Sequence, residues 1–152
     1  MKLVVLKFGG TSVADVPQIK KIASKVKAEV KKGNKVIVVV SAMSGVTNNL
    51  IDQVKKTSEN FPYSEYDTVV SSGEQVTSAL LSIALEELSI KARSWLGWQV
   101  PIFTDDIYGK AVIKNIETAN ISKSLKNGFV AIVSGFQGVS NKNRITTLGR
   151  GG

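Results

Sequence analysis

Apolar and polar residues run along this chain in blocks whose period switches repeatedly between that of a strand and that of a helix. Residues 2–8 contain the run Leu3-Val4-Val5-Leu6 and predict a first strand. Residues 36–40 are five consecutive β-branched positions, the mark of a strand buried on both faces of a parallel sheet. Between them the period becomes helical. On a helix drawn over 16–32 at about 100° per residue, Val16, Ile19, Ile22, Ala23, Val26 and Val30 share one side. Asp15 is placed to cap that helix, Pro17 is tolerated in its first turn, and Gly33-Asn34 supplies the stop.

Beyond residue 40 the pattern predicts a polar loop over 41–49 and a short helix to about residue 58. Phe61-Pro62 breaks the chain, and one long helix is expected over 66–88. A strand over 91–95, a turn at Gly97 and a loop or short edge segment over 101–105 come next. A helix over 116–126 stopped by Asn127-Gly128 leads to another buried strand over 129–134. No repeat, low-complexity tract or interdomain linker interrupts this order, and 152 residues suit a single domain. The expected fold class is α/β, a mainly parallel sheet with helices on both faces. Ligands of such sheets gather at the carboxyl ends of the strands. Three predicted strands end in polar or glycine-rich loops: Gly9-Gly10-Thr11-Ser12, Ser41-Ala42-Met43-Ser44-Gly45 and Ser134-Gly135-Phe136-Gln137-Gly138. That edge is the expected site.

Composition removes whole classes of chemistry. With no cysteine and no histidine, disulfides, thiolate metal sites, the usual zinc ligands and the commonest general base are all excluded. The apolar run at the start is too short for a signal peptide or a membrane span, and a cytoplasmic location is expected. The net charge of +8 is concentrated early: residues 1–35 carry nine lysines against Asp15 and Glu29. Lys20, Lys21, Lys25, Lys27, Lys31 and Lys32 fall on the polar side of the first helix. Such a stripe reads either as a nucleic-acid footprint or as a solvated outer face. No aromatic or arginine is interleaved among the lysines, which favours the solvated face.

Three residues carry candidate chemistry. Lys7 directly precedes Phe8-Gly9-Gly10, where an ammonium and backbone N–H groups together suit a phosphoryl group. The lysine precedes the glycines, so this is not a Walker loop, and a tight strand-to-helix turn explains the two glycines equally well. Glu74 projects into the apolar arc formed by Val70, Thr77, Leu81, Ala84, Leu85 and Leu88. A carboxylate there is costly unless paired, either in a structural ion pair or with a substrate ammonium in a cleft. Gly73, unfavourable inside a helix by about 1 kcal/mol, predicts a close approach at that point. Arg150, between Gly149 and Gly151-Gly152, suits a bidentate grip on a carboxylate, although an exposed loop arginine fits the spacing as well. Ser41, Ser44 and Thr47 are, by spacing alone, ordinary loop hydroxyls.

Five segments taken together closely resemble the aspartokinases of the amino-acid kinase superfamily. They are Lys-Phe-Gly-Gly-Thr-Ser (7–12), Val-Val-Val-Ser-Ala-Met-Ser-Gly-Val-Thr-Asn (38–48), Ser-Gly-Glu (72–74), Gly-Phe-Gln-Gly (135–138) and Thr-Thr-Leu-Gly-Arg-Gly-Gly (146–152). Other kinases of the superfamily share the opening glycines without this combination. The resemblance implies transfer of the γ-phosphoryl of ATP, carried with Mg2+, to the β-carboxylate of L-aspartate, the entry to lysine, threonine and methionine synthesis. Carried over by motif, Lys7 neutralises the transferring phosphoryl group, Gly9 and Gly10 contact it through the backbone, and Thr11 and Ser12 line the phosphate end. Ser41 and Thr47 help hold aspartate, Glu74 meets its α-ammonium, and Arg150 its α-carboxylate.

The resemblance further implies that residues 1–152 are the N-terminal, substrate-binding part of the kinase domain. In the family a Gly-Ser-Asp segment, the remaining nucleotide-binding half and regulatory modules follow, and activity is not expected without them. A homo-oligomer is implied for the full-length protein, with neither membrane nor nucleic acid as partner. Two alternatives are a non-catalytic split subunit or assembly module that needs a partner chain, and another member of the same superfamily.

Overall fold

A computed structural model describes residues 1–149. Two four-stranded sheets organise it. The larger contains β1 (Leu3–Phe8), β2 (Lys35–Val40), β3 (Ala92–Trp95) and, as the sixth strand in chain order, β6 (Val130–Ser134). Its order is β1-β2-β6-β3 and every pairing is parallel, with Phe8 beside Val40 and Val40 beside Ser134. The central strands are the ones whose β-branched or apolar runs predicted burial on both faces.

Helix α1 (Val16–Lys31) begins where the sequence indicates: the Asp15 carboxylate accepts from the Gln18 amide at 2.9 Å. Its buried face, Ile19, Ile22, Ala23 and Val26, packs with Leu81 and Leu85 on Val36, Val38, Val40 and Ile132. Each of the valine, leucine and isoleucine side chains contributes about 1.5–3 kcal/mol through burial. On the opposite face of the sheet, Ile121 and Leu125 of α5 (Ala119–Lys126) cover Ala131, Val133 and Trp95. Lys20, Lys21, Lys25, Lys31 and Lys32 of the α1 region are exposed, whereas the Lys27 ammonium donates to the Leu88 carbonyl at 3.0 Å. The lysine stripe is therefore mostly exposed, with Lys27 tied back to the chain at Leu88.

The chain departs from the predicted pattern in three places. The single helix expected over 66–88 is two: α3 (Tyr63–Val70) and α4 (Ser72–Glu87), divided at Ser71. The Ser71 carbonyl accepts from the Gln137 side-chain amide at 3.0 Å, while the Ser71 and Ser72 hydroxyls donate back to Thr68 and Val69 carbonyls. Serines that bond their own backbone, followed by Gly73, favour such a break. Second, the loop expected over 41–49 is shortened because α2 (Val46–Thr57) starts within it, after Gly45 at φ 78°. That left-handed conformation is one glycine adopts at little cost.

The third departure is the smaller sheet, ordered β5-β4-β7-β8. It is built from β4 (Ile102–Thr104), β5 (Ile113–Ile116), β7 (Gln137–Val139) and β8 (Ile145–Thr147). Ile116, expected to open a helix, instead pairs with Ile102 in an antiparallel register, and α5 starts three residues later at Ala119. The 135–138 segment, expected as a loop, feeds directly into β7, which pairs with β8. These strands have three or four residues each, too few for a period of two to be seen.

Candidate active site

The carboxyl ends of β1, β2 and β6 lie side by side, and their loops meet at a cavity of about 780 Å³. Lys7, Gly10, Thr11, Ser41, Thr47 and Glu74 all line it, so most of the residues selected from sequence are brought together. Gly9 and Ser12 are not part of the lining. The Gly9 carbonyl accepts from the amides of Ser12 at 3.0 Å and Val13 at 3.3 Å, closing the turn that leads from β1 toward α1. At Gly10 a Cβ would stand 3.3 Å from the Ala42 carbonyl oxygen, so the first and second loops are in near contact. Arg150 lies outside the described residues.

Lys7 is the last exposed position of β1 before Phe8, and its register partner on β2 is Val39. The loop after β2 contributes Ser41 and Ser44, and Thr47 stands in the first turn of α2. The loop after β6 contributes Ser134, Gly135, Phe136 and Gln137. Gly135 is constrained by space, since a Cβ there would fall 2.9 Å from the Val40 carbonyl.

Glu74 is 3% exposed in the first turn of α4, and its position follows from Gly73. A Cβ on Gly73 would lie 2.7 Å from the Ala42 Cβ, so only glycine allows α4 to come this close to the loop after β2. That approach brings the Ala42 amide to 3.0 Å from Glu74 Oε1, to which it donates. The Ser134 hydroxyl lies 3.3 Å from the Glu74 carbonyl and 2.9 Å from the Ser78 hydroxyl, tying the same turn to the end of β6. Glu74 Oε2 is buried and has no hydrogen-bond partner among the described residues. No described lysine or arginine pairs with Glu74. Burial pushes its carboxyl up to about 7, against the opposing pull of the Ala42 amide and of its own backbone N–H.

Sequence reasoning missed two features. One wall of the cavity is apolar and comes from the small sheet, through Ile102, Ile113 and Ile116. The other is Asp67, fully buried on α3, which accepts hydrogen bonds from Gly109 and Thr147. Burial raises its carboxyl above the usual range, while the Thr147 hydroxyl, the Thr147 amide and the Gly109 amide act in the opposite direction. The signal was present: Asp67 precedes Glu74 by seven residues and so falls on the same helical arc. No group of three acidic side chains that could hold a metal ion occurs among the described residues, so the side chains present do not by themselves form a magnesium site. None of the described helices is long and apolar enough to cross a membrane.

A strand-end cavity with glycine-rich loops, one lysine and a buried half-satisfied carboxylate offers backbone donors and a cation to an anionic group, and a carboxylate to a cationic one. The profile of the amino acid kinase family matches residues 2–152, and the chain belongs to that family. Within it, the aspartokinase of Rickettsia felis is 52% identical over 155 aligned positions, covering all of this chain and 39% of that protein. The crystal structure of aspartate kinase from Synechocystis superposes with a TM-score of 0.80 at 40% identity, over 99% of this chain and 24% of that one. Aspartokinase III of E. coli, solved in complex with aspartate and ADP, gives a TM-score of 0.82 at 27% identity, over 99% of this chain and 44% of that one. The chain thus spans about two fifths of the length of the curated relatives it matches.

Proposed function

We propose that this chain carries the substrate-binding part of an aspartate kinase, which transfers the γ-phosphoryl group of ATP to the β-carboxylate of L-aspartate. The observation that carries the reading is Glu74: a buried carboxylate in the cavity wall with one oxygen held by Ala42 and the other without a partner. An ammonium is the ligand group that completes such a site, because it supplies both the missing donor and the opposite charge. L-Aspartate presents that ammonium together with a carboxylate that can accept a phosphoryl group. The R. felis and Synechocystis relatives support the same choice of substrate.

In this reading a β-carboxylate oxygen attacks the γ-phosphorus, the bond from phosphorus to the β–γ bridging oxygen breaks, and ADP leaves with that electron pair. The nucleophile is already ionised at neutral pH, so no general base is required, in keeping with a chain that has no histidine. Glu74 Oε2 takes the substrate ammonium, and Ser41 and Thr47 offer hydroxyls to the amino acid. Lys7 balances the negative charge that builds on the phosphoryl oxygens, and the Gly10 backbone with Thr11 lies against them. Gly9 and Ser12 act through the turn they form. Arg150 remains the proposed partner of the α-carboxylate. Magnesium arrives with the nucleotide phosphates and no step here is assigned to it. The product, an acyl phosphate, belongs to the entry of lysine, threonine and methionine synthesis, in the cytoplasm and in a homo-oligomer.

Titration of L-aspartate and of Mg-ATP, separately, into the longest native polypeptide that carries this sequence tests the reading. The expected result is saturable aspartate binding that Glu74→Gln weakens strongly while ATP binding is nearly unchanged. Absence of aspartate binding, or a Glu74→Gln protein that binds aspartate normally, overturns it.

A further inference from the structure

Asp67 has no role in the chemistry above, yet its carboxylate joins three separate parts of the chain. From α3 it accepts from the Gly109 amide, at 3.0 Å to each oxygen, from the Thr147 amide at 2.8 Å and from the Thr147 hydroxyl at 2.6 Å. None of the ion pairs among the described residues involves it, so its charge is balanced only by these donors. The turn at Gly109 lies tightly against α3: φ is +80°, and a Cβ there would stand 2.9 Å from the Tyr63 ring. The same turn reaches β8 a second time, where the Ala111 amide donates to the Thr147 carbonyl at 2.9 Å.

Next to this junction lies the cavity. Leu148 and Gly149, the two residues after Thr147, line it, and the Leu148 amide donates to the Phe136 carbonyl at 2.8 Å. β8 has only three residues and one strand neighbour, β7, so its end is fixed by a few contacts: the Thr104–Thr146 hydroxyl pair, the hydrogen bonds of the Ala111 and Leu148 amides, and the Asp67 carboxylate, which alone among them holds the Thr147 side chain. Thr147 is held on its amide and on its side chain by a single carboxylate. A carboxylate is the group that suits this place, since it only accepts and three donors converge on it. An amide of the same shape would turn its NH2 toward one of those donors.

We propose that Asp67 is a positioning residue for the substrate site: by anchoring Thr147 it sets the segment 147–149 at the cavity wall in the geometry that amino-acid binding requires. This rests on the aspartate-kinase reading for the identity of the ligand.

The test compares Asp67→Asn, Thr147→Val and Thr147→Ser with Leu125→Ala, a core change in α5 on the other side of the large sheet. In the longest native polypeptide that carries this sequence, each protein is characterised by its Tm, by its Kd for L-aspartate and for Mg-ATP, and by amide exchange at Leu148 and Gly149. Asp67→Asn and Thr147→Val are expected to weaken aspartate binding about tenfold or more, as loss of an anchoring hydrogen bond in a buried site does. Mg-ATP binding should be little changed, and exchange at Leu148 and Gly149 should rise. Thr147→Ser should retain wild-type affinity, and Leu125→Ala should lower Tm without altering it. If Asp67→Asn and Thr147→Val lower Tm but leave aspartate affinity at the wild-type value, the proposal is overturned. It is equally overturned if Leu125→Ala weakens aspartate binding as much as they do. Should Asp67→Asn fail to fold, the Thr147 pair decides alone. If the wild-type protein does not bind aspartate, the functional reading fails, and exchange at Leu148 and Gly149 judges the anchor: faster in Thr147→Val supports it, unchanged overturns it.

Discussion

The contact between α3 and β8 and the contact between α4 and the loop after β2 are built alike and finished differently. Each has a carboxylate on one arc of a broken helix, Asp67 in the first and Glu74 in the second, and both are almost entirely buried. At the α3 contact every oxygen is met: Gly109 and Thr147 supply all the donors from within the fold. At the α4 contact only Oε1 is met, by Ala42, and Oε2 is left without a partner. A buried charge that its own fold satisfies holds segments together. One that the fold satisfies by half stores a cost that a ligand of opposite charge relieves. The difference separates an anchor from a binding group more clearly than burial or residue type does.

The largest effect that would sharpen this comparison is on stability at the anchor. Asp67→Ala leaves the Gly109 amide, the Thr147 amide and the Thr147 hydroxyl buried without an acceptor, and should cost roughly 3–5 kcal/mol in denaturant unfolding. A loss below about 1 kcal/mol would mean that water or a rearranged turn replaces the carboxylate easily.

Glu74→Gln should act in the opposite sense on the two observables. Aspartate affinity is expected to fall about 100-fold, by loss of the charge partner of a buried ammonium. The unliganded protein at pH 8 should meanwhile become more stable, because the side-chain oxygen can still accept from Ala42 while the buried charge is gone. A protein that is destabilised at pH 8 by this change would break the comparison and return Glu74 to a structural role.

The pH dependence arises from the same group. Its folded-state pKa is about 7 against an ordinary 4.5, so the folded form favours the neutral acid. The stabilisation is present in full below about pH 4.5 and is lost as pH rises through about 7, a change on the order of 3 kcal/mol. Asp67, also raised, contributes in the same direction, so the wild-type curve is compared with that of Glu74→Gln, and the difference isolates Glu74. Aspartate binding should show the complementary trend and weaken as pH falls below about 7, where Glu74 takes up a proton. Parallel stability curves for the two proteins would contradict the assignment.

The smallest effect expected is at Gly73. An added methyl group would meet the Ala42 side chain at 2.7 Å, so Gly73→Ala should push α4 away from the loop after β2. The cost is on the order of 1–2 kcal/mol, reduced by the better helix propensity of alanine. Aspartate affinity should drop through displacement of Glu74, while Asp67 and its partners stay in place. Chemical shifts at Ala42 and at Thr147 would separate the two sites.

Local pattern and local chemistry were enough to place the strands of the large sheet, most of the length of its covering helices and the edge where the cavity lies. Runs of apolar β-branched residues must be buried on both faces, Asp15 must cap the first helix, and Gly33-Asn34 must end it, whatever lies elsewhere in the chain. The same holds for Glu74 and Gly73, whose burial and close approach are legible from one helical arc. The small sheet was decided only by the tertiary structure, because its strands are too short to carry a period and each is stabilised by a partner distant in sequence. The break at Ser71 likewise depends on Gln137, sixty-six residues away, diverting a helix carbonyl. The difference in hydrogen bonding between the two carboxylates is also tertiary. The arc that exposes Glu74 to suspicion also passes through Asp67, but which of them is satisfied depends on where Gly109, Thr147 and Ala42 arrive in space, and no pattern along the chain records that.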